Sequence, residues 1–345
     1  MNQEYPLVSI IMATYNRAKT IERAINSVLN QSYTNLELII IDDGSTDNTS
    51  SILMSYQDPR IKIINHGQNR GQTAARNSGL KQIKGDWFTI FDSDDEMVTN
   101  AIETMMKIPL SFDRNITSVT CNCWEPISNK FLGQGLDKDG YIKGNEVMPL
   151  CEGDFWGITK TSLLMGDSFN ENLLGILSTL WYKINERANC YYIHEPLNIV
   201  HIEGNDRVTD QNYLNVNFDR QILHYENLIK EELYLKITKK LRPDEFYSLC
   251  RAGLLYMRID HNKDLASKYY ALLKSYKKGP ISDFIVKYEL PAIIYKIYLK
   301  LVPRIKLAIK RFRIIFYIYG KPKTFTSQDT YVSVQKKSVS DCCSS

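Results

Sequence analysis

At residues 86–95 the chain reads Asp86-Trp87-Phe88-Thr89-Ile90-Phe91-Asp92-Ser93-Asp94-Asp95, an apolar run set directly before three carboxylates. The apolar part predicts the interior of a buried strand. Because side chains alternate along a strand, Asp92 and Asp94 lie on the same side of its carboxyl end, with Asp95 beside them. Three unpaired anions would repel one another, so the pattern favours a Mg²⁺ or Mn²⁺ ion held by hard oxygen ligands. A solvated acidic turn is the alternative interpretation, since such short motifs also occur without a function.

Three more strands are predicted before this stretch, each a short apolar run rich in β-branched residues. They are Leu7–Met12, Leu36–Ile41 and Ile61–Ile64. Helices are predicted between them, including Ile21–Leu29 and Gly71–Ile83. The alternation predicts an α/β domain with a mostly parallel sheet flanked by helices. In such sheets ligands bind at the carboxyl ends of the strands, where the loops after Met12, Ile41 and Phe91 meet.

The rest of the chain carries a looser pattern and a different charge. Later strands are predicted at Thr117–Trp124, Tyr191–Ile193 and Asn198–His201, and long helical patterns follow from Asn215. The composition, 43% hydrophobic and 24% charged over 345 residues, is that of a globular protein. The first 210 residues contain 18 Lys and Arg against 27 Asp and Glu, and the remainder 25 against 12. This asymmetry predicts two regions with different partners.

Several classes of protein are disfavoured by missing signals. We expect no secretory signal, because Leu7–Ala13 is too short for a signal core or a membrane span. The seven cysteines show neither metal-ligand spacing nor a small-domain disulfide framework, which favours reduced thiols in a cytoplasmic protein. The glycine patterns of dinucleotide-binding dehydrogenases, P-loop enzymes and α/β-hydrolases do not occur.

Three side chains in the predicted edge loops can hold a nucleotide diphosphate. Tyr15 offers a ring face for stacking on a base, or else packs at its loop. Asp43 can accept a hydrogen bond from a base N–H or a ribose hydroxyl, or else serves the turn before Gly44. Arg76, one turn into a predicted helix, can reach a nucleotide, or else lies on a solvated helix face. Each alternative stays open when its residue is taken alone.

Four blocks together resemble family 2 glycosyltransferases, inverting enzymes with the GT-A (Rossmann-like) fold. The blocks are Val8-Ser9-Ile10-Ile11-Met12-Ala13-Thr14-Tyr15-Asn16, Ile40-Ile41-Asp42-Asp43-Gly44-Ser45-Thr46-Asp47, Asn69 to Asn77, and Phe91-Asp92-Ser93-Asp94-Asp95. They come in the order and spacing of the family. The resemblance covers about Leu7 to Asn100 strongly and continues weakly to about Arg207.

The resemblance implies a metal-dependent, hexosyltransferase-like enzyme of polysaccharide biosynthesis in the cell envelope. Such an enzyme moves a sugar from a nucleotide donor, here a UDP-sugar, to a hydroxyl of a glycan or lipid-linked acceptor. The implied donor-binding residues are Thr14, Tyr15, Asp43, Arg76, Asp92 and Asp94. The implied ligands of the Mg²⁺ or Mn²⁺ ion are Asp94, Asp95 and His201.

One position departs from the family pattern. Inverting transfer needs a general base, and in similar sequences an acidic residue shortly precedes a Leu-Trp-Tyr-Lys-like helix. Aligning on Trp181 puts Ile176 or Leu177 at that position. The nearest acidic residues that can replace it are Glu152, Asp154 and Glu171. Otherwise the alignment shifts around Gly175, or the chain is a non-catalytic nucleotide-sugar-binding or membrane-scaffolding relative.

The C-terminal region interleaves Lys and Arg with apolar residues over Tyr288 to Tyr319 at helical spacing. Such a helix lies on an anionic membrane surface, or packs on its own domain with a solvated basic face. Nucleic-acid binding is disfavoured, because no recognised module accompanies the charge. We therefore expect a nucleotide-sugar domain over residues 1–210, a basic helical extension over 211–320 and a flexible tail over 321–345. The expected location is the cytoplasm, peripheral at the inner face of the cell membrane.

Overall fold

The computed structural model describes residues 5–111, 115–143, 153–173, 176–202 and 218–276, together with Phe284, Val286 and Lys287. Met1–Glu289 group into one compact unit. The predicted basic helix over Tyr288 to Tyr319, the predicted tail over 321–345 and the candidate base Glu152 lie outside the described residues.

Ten strands form one sheet in the described part of the chain. They are β1 (Val8–Thr14), β2 (Leu36–Asp42), β3 (Ile61–Asn65), β4 (Trp87–Ile90), β5 (Glu96–Met97), β6 (Ser118–Glu125), β7 (Lys130–Phe131), β8 (Gly140–Lys143), β9 (Phe155–Lys160) and β10 (Asn189–Ile199). Their order across the sheet is β3-β2-β1-β4-β9-β6-β10-β5, with β7 beside β6 and β8 beside β10.

The sheet is mixed, but six of its ten strands share one direction. Strands β1 to β4 pair in parallel, and so do β6 and β10. Strand β9 runs antiparallel to both of its neighbours, β4 and β6, so it restores the common direction on its far side. The carboxyl ends of β1, β2, β3, β4, β6 and β10 therefore meet at one edge. The predicted α/β fold with a mostly parallel sheet is confirmed.

One predicted boundary was wrong. The two short strands expected at Tyr191–Ile193 and Asn198–His201 are a single strand, β10, and His201 lies beyond its end. Its pairing with β6 shifts register around Pro196. Proline has no backbone N–H to give to a ladder, so the strand bulges there and then continues.

Nine α-helices accompany the sheet in the described residues. They are α1 (Ile21–Leu29), α2 (Thr49–Ser55), α3 (Gln72–Leu80), α4 (Ala101–Ser111), α5 (Ser178–Arg187), α6 (Phe218–Leu228), α7 (Glu232–Leu241), α8 (Pro243–Ile259) and α9 (Lys263–Leu273). A short 3₁₀ turn follows β9 at Thr161–Leu164. No helix of the described residues is long and apolar enough to cross a membrane.

Both faces of the sheet carry a hydrophobic core. Alternate residues of β1 show this, because Ile10 packs with α1 and α4 while Ile11 packs with α3 and α5. Helix α3 lies especially close to the sheet, since a Cβ added at Gly79 would lie 2.4 Å from Ile11 Cγ2. This close packing fixes the helix that carries Arg76 against the strands whose ends form the site.

A third cluster joins helices α6–α9 to the α/β part. Its buried members include Leu173 and Tyr182 as well as residues of all four helices, such as Leu254 and Tyr269. The rings of Tyr182 on α5 and Tyr234 on α7 stack with centroids 5.5 Å apart. The helices therefore share their core with α5.

Candidate functional site

The loops after β1 and β2 are joined by Asn16. Its backbone is in the left-handed region, with φ 52. Its N–H donates to Ser45 Oγ at 3.0 Å, and its side-chain Oδ1 accepts from the N–H of Thr46 at 2.8 Å. The neighbouring Tyr15 remains 40% exposed at this edge of the sheet. An exposed ring on a loop fixed in this way is suited to stacking on a nucleotide base.

Thr14 and Asp43 lie side by side beneath these loops. The N–H of Asp43 donates to the carbonyl oxygen of Thr14 at 2.8 Å. Thr14 is buried, and its Oγ1 has no hydrogen-bond partner among the described residues. A buried hydroxyl without a partner is unfavourable, so its position is compatible with bonding to a ligand.

The carboxylate of Asp43 holds the loop that leads into α3. It accepts from the N–H groups of Arg70 at 3.0 Å and Gly71 at 2.7 Å, and lies 2.7 Å from His66 Nδ1. Asp43 is only 3% exposed. A carboxylate offers about four acceptor positions, so these contacts leave about one for a ligand. The nucleotide role of Asp43 stays a prediction, and its structural role is one that the sequence did not indicate.

Gly44 allows the loop that leads into α3 to pass close to the loop after β2. Its φ of 75 lies in the region that favours glycine, and an added Cβ would lie 2.5 Å from the carbonyl carbon of Gln68. The loop therefore crosses directly over Gly44. His66 completes the support, because its Nε2 lies 2.9 Å from Ser78 Oγ on α3.

Arg76 contacts the acidic stretch and does not lie on a solvated helix face, although its role at a nucleotide stays a prediction. Its Nη2 donates to Asp92 Oδ1 at 2.6 Å. The guanidinium is buried, and its Nε has no hydrogen-bond partner among the described residues. The side chain of Asp92 is 51% exposed. The structure thus places a buried cation beneath a carboxylate that faces solvent at the sheet edge.

The acidic loop is also held from the side of α1. Arg17 Nε lies 3.5 Å from Asp94 Oδ2, and Arg23 Nη2 donates to the carbonyl oxygen of Asp94 at 2.7 Å. Thr20 Oγ1 donates to the carbonyl oxygen of Ser93 at 3.2 Å. The two arginines were missed by sequence reasoning, although Arg17 directly follows the Thr14-Tyr15-Asn16 block.

Asp95 is the most buried carboxyl of the acidic stretch, with 7% exposure. Burial, together with the charges of Asp92 and Asp94, raises its pKa from 3.8 to about 8. Asn198 Nδ2 donates to Asp95 Oδ2 at 3.2 Å, while Asn198 Oδ1 is buried with no hydrogen-bond partner among the described residues. A buried carboxyl beside two other carboxylates and an unpaired amide oxygen is a donor set that fits a hard divalent cation.

The third predicted metal ligand, His201, donates its backbone N–H to the Asp95 carboxylate, while its ring contacts another residue. Its Nε2 lies 3.1 Å from Glu96 Oε2, whereas Asp94 pairs with Arg17 and Asp95 with Asn198. In the described part of the chain, no group of three or more His, Cys, Asp or Glu side chains is arranged to hold a metal ion. The ligand set stays a prediction, and Asn198 is the residue that sequence reasoning missed.

The position expected for the general base is apolar in the structure as well. Leu177 is the N-cap of α5 and packs in the cluster around Ile11 and Phe88, while Ile176 packs against the helical cluster. The first turn of α5 has no acidic residue. A shift of the alignment around Gly175 therefore brings no carboxylate to this helix end.

Glu171 is held by Asn77, the residue after Arg76 on α3. Asn77 Nδ2 donates to Glu171 Oε1 and to the carbonyl oxygen of Phe169, each at 2.9 Å, and its Oδ1 accepts from the N–H of Phe169 at 2.9 Å. Asp154 lies at the start of β9, at the carboxyl edge of β4 and β6. These are the two described candidates for the base.

Replacing Asn77 by Ala will lower the free energy of unfolding by about 2–4 kcal/mol. The substitution leaves the N–H and C=O of Phe169 unpaired in a buried site, and each orphaned group costs about 1–3 kcal/mol. Urea denaturation measures the change, with Lys81→Ala, an exposed change just after the same helix, as the control. Equal free energies of unfolding for Asn77→Ala and the control would contradict the role of Asn77 in holding the backbone of Phe169.

The comparisons with known proteins agree with this geometry. The family model described as "Glycosyl transferase family 2" matches residues 9–145. The "GalNAc(5)-diNAcBac-PP-undecaprenol beta-1,3-glucosyltransferase" of Campylobacter jejuni is 33% identical over 306 residues, which cover 86% of this chain and 94% of that protein. The chain belongs to glycosyltransferase family 2. The family predicted from the four blocks is confirmed.

Further relatives are similar to this glycosyltransferase over different shares of its length. An Escherichia coli "UDP-Glc:alpha-D-GlcNAc-diphosphoundecaprenol beta-1,3-glucosyltransferase" is 41% identical over 145 residues, 42% of this chain and 56% of that protein. The crystal structure of S. aureus TarS 1-349 in complex with UDP-GlcNAc matches with a TM-score of 0.54 at 17% identity, covering 79% of this chain and 94% of that one. At that identity the likeness concerns the fold alone. The predicted GT-A-like fold of this glycosyltransferase is confirmed.

Proposed function

We propose that this glycosyltransferase moves a sugar, with inversion, from a UDP-sugar to a hydroxyl of a lipid-linked glycan, using Mg²⁺ or Mn²⁺. The observation that carries the proposal is the meeting of Tyr15, Arg76 and the acidic loop at one edge of the sheet. Two relatives are named as glucosyltransferases of undecaprenol-linked acceptors, and one of these names includes UDP-Glc. UDP-glucose is therefore the first donor to test.

The donor site follows from the side chains at this edge. Tyr15 stacks on the base, and the remaining acceptor position of Asp43 takes a base N–H or a ribose hydroxyl. The Thr14 hydroxyl is available to the same ligand. Arg76 offsets part of the negative charge that a diphosphate brings to an already acidic loop.

The acidic loop supplies oxygen ligands for the cation. Asp94 and Asp95 would hold it, and the unpaired Oδ1 of Asn198 is suited to join them, with His201 beside Glu96. When bound, such an ion stabilises the negative charge on the departing diphosphate. The raised pKa of Asp95 fits this role, because burial and the charges of Asp92 and Asp94 both disfavour its carboxylate, and a divalent cation would offset both effects.

An apolar rim beside the acidic loop supports a lipid-linked acceptor. Ile127, just beyond β6, is 79% exposed, and Ile202, just beyond β10, is exposed as well. Strands β6 and β10 are parallel neighbours that end at the edge of the sheet that carries the acidic loop. The sequence of residues 288–319, basic and apolar at helical spacing, is suited to an anionic membrane surface, where a lipid-linked acceptor lies.

A transfer assay with the full chain tests the proposal. Radiolabelled UDP-glucose and other UDP-sugars are incubated with an undecaprenyl-diphosphate-linked glycan and Mn²⁺, and we expect label in the lipid fraction together with release of UDP. Chelation with EDTA abolishes both signals, and GDP-mannose serves as the control donor. Binding of UDP-sugars without turnover of any of them would favour the non-catalytic alternative.

A further inference from the structure

His66 is a buried polar side chain that the proposed donor site does not itself use. It follows β3 directly, and its N–H donates to the carbonyl oxygen of Asp42 at 2.9 Å, which continues the pairing of β3 with β2 by one residue. The register therefore sets its ring beside Asp43, and only 6% of the side chain is exposed. Buried polar groups are kept by the bonds that they make, so the contacts of the ring indicate its role.

The ring of His66 joins Asp43 to α3. Its Nδ1 lies 2.7 Å from Asp43 Oδ1, and its Nε2 lies 2.9 Å from Ser78 Oγ. Since a carboxylate can only accept, Nδ1 carries a proton and donates to Asp43. Ser78 lies two residues after Arg76 on the same helix, and Arg76 donates to Asp92. These contacts link the nucleoside end of the proposed donor site to its diphosphate end.

The contacts of Asp43 leave one of its oxygens for a nucleotide. Within the described residues, Oδ1 accepts from His66 Nδ1 and from the N–H of Arg70, whereas Oδ2 accepts only from the N–H of Gly71. Each carboxylate oxygen has two lone pairs, so Oδ1 is fully used and the remaining acceptor position lies on Oδ2. Because 4% of the side chain is exposed, a carboxylate turned out of this orientation would no longer present that oxygen.

The ring of His66 is the firmer of the supports that hold this orientation. The two backbone donors lie in the loop between β3 and α3, where Gly67 and Gly71 have φ of 70 and 93 and an added Cβ at either would meet nothing within 4 Å. A loop in such open surroundings can follow the carboxylate. His66 cannot, because it is tied to β2 through its backbone and to α3 through Ser78.

We propose that His66 is a positioning residue of the donor site, an inference that rests on the proposed function. The Nδ1–H of His66 holds Asp43 Oδ1, so that Oδ2 accepts a hydrogen bond from a base N–H or a ribose hydroxyl of the nucleotide. His66 reaches the nucleotide only through Asp43. It therefore strengthens binding of the donor and leaves the rate of sugar transfer from the bound donor unchanged.

Two substitutions separate the two contacts of the ring. In His66→Asn the amide nitrogen takes the place of Nδ1 and keeps the donor to Asp43, whereas in His66→Gln the amide extends towards Ser78 and that donor is lost. Titration calorimetry of the full chain with UDP and Mn²⁺ measures the dissociation constant. We expect it to rise by about 10–100-fold in His66→Gln and by no more than about 3-fold in His66→Asn. His261→Asn, an exposed position with φ 58, is the control.

Steady-state kinetics distinguish positioning from a general structural role. In His66→Gln, KM for the UDP-sugar that the wild type uses should rise together with the dissociation constant, while kcat at saturating donor stays within about 3-fold of the wild type. A structural role would instead reduce the fraction of folded enzyme, which lowers kcat and leaves KM unchanged.

Nucleotide analogues identify the group from which Asp43 Oδ2 accepts. N3-methyl-UDP lacks the base N–H, and 2′-deoxy-UDP and 3′-deoxy-UDP each lack one ribose hydroxyl. The analogue without the recognised group should bind the wild type about 10–100-fold more weakly than UDP. In His66→Gln this ratio should be at least about 3-fold smaller, because the substitution and the analogue remove parts of one interaction.

The possible failures have different signatures. No binding of UDP by the wild type would overturn the proposed function and this inference together. Binding of UDP without transfer from any UDP-sugar would overturn the proposed function alone, because the effect of His66 is measured in binding. The inference is overturned if His66→Asn and His66→Gln bind UDP equally well, or if none of the analogues binds the wild type more weakly than UDP. Equal ratios for the analogue in the wild type and in His66→Gln, or a fall in kcat at unchanged KM, would overturn it as well.

Discussion

Replacing Asp95 by Asn will strongly reduce metal-dependent transfer and at the same time stabilise the metal-free protein. The two effects have one origin, since Asp95 is a buried carboxyl beside Asp92 and Asp94. Its raised pKa means that the folded state keeps the proton up to about pH 8, whereas the unfolded chain releases it near 3.8. This carboxyl therefore costs stability increasingly as the pH rises through that window, and the cost is absent at lower pH.

An amide at position 95 removes this loss of stability and adds a hydrogen bond. The Asn side chain has nearly the same shape, carries no charge and can donate to Asn198 Oδ1, which has no partner among the described residues. We expect a gain of about 1–3 kcal/mol at pH 8 without metal. Loss of one charged oxygen ligand removes several kcal/mol of charge stabilisation, so transfer should fall on the order of 1000-fold.

Thermal melts at pH 5 and pH 8 in EDTA, followed by titration with Mn²⁺, measure the change in stability. The transfer assay measures the loss of activity, and Asp264→Asn, an exposed change in the first turn of α9, is the control for both. A lower melting temperature at pH 8, or metal-dependent transfer that survives in Asp95→Asn, would show that this carboxyl is not the centre of the cation site.

Replacing Gly157 by Ala will destabilise the protein by at least about 3 kcal/mol or prevent folding. Gly157 lies in β9, the antiparallel strand between β4 and β6. An added Cβ would lie 2.1 Å from the carbonyl oxygen of Val119 and 2.9 Å from Thr120 Cα, both backbone atoms of β6. Strand β9 cannot simply shift away from β6, because Thr89 Oγ1 on β4, its other neighbour, donates to the Gly157 carbonyl oxygen at 2.7 Å. The sheet must open for the methyl group to fit.

The chain offers a matched control for this substitution. Gly140 lies in β8, also in the sheet, and an added Cβ there meets nothing within 4 Å. Gly140→Ala should therefore stay within about 0.5 kcal/mol of the wild type in urea denaturation. Similar midpoints for the two variants would contradict the close packing of β9.

The parts of the fold that were predictable are those with a local signal. Strands β1, β2, β3 and β4 are recognisable in the sequence as apolar runs that stop at polar loops. Parallel pairing then predicts that their carboxyl ends meet at one edge of the sheet. The reversed direction of β9 has no such signal, because its alternation is the same whichever way the strand runs. The continuity of β10 through Pro196 was missed for a similar reason, since a bulge depends on the partner strand.

The site residues, like the strands, were predictable where a local sequence pattern marks them. The acidic stretch and Arg76 were both expected near one edge of the sheet, the first at a strand end and the second one turn into a helix, but their direct contact was not predicted. Asn198 was not, since its contact with Asp95 depends on cross-strand register between distant segments. His66 likewise lacked a signal, because its contact with Asp43 arises only once β3 lies beside β2. Residues that support others across a sheet have no local pattern to mark them.

The core that α5 shares with helices α6–α9 limits which fragments of this enzyme can be stable. Tyr182 and Leu173 are buried against those helices, so a fragment that ended before α6 would leave their apolar surface in water. A chimera that exchanges acceptor preference between relatives will therefore need its junction after α9. The unit that can be transferred intact between proteins is the α/β part together with helices α6–α9.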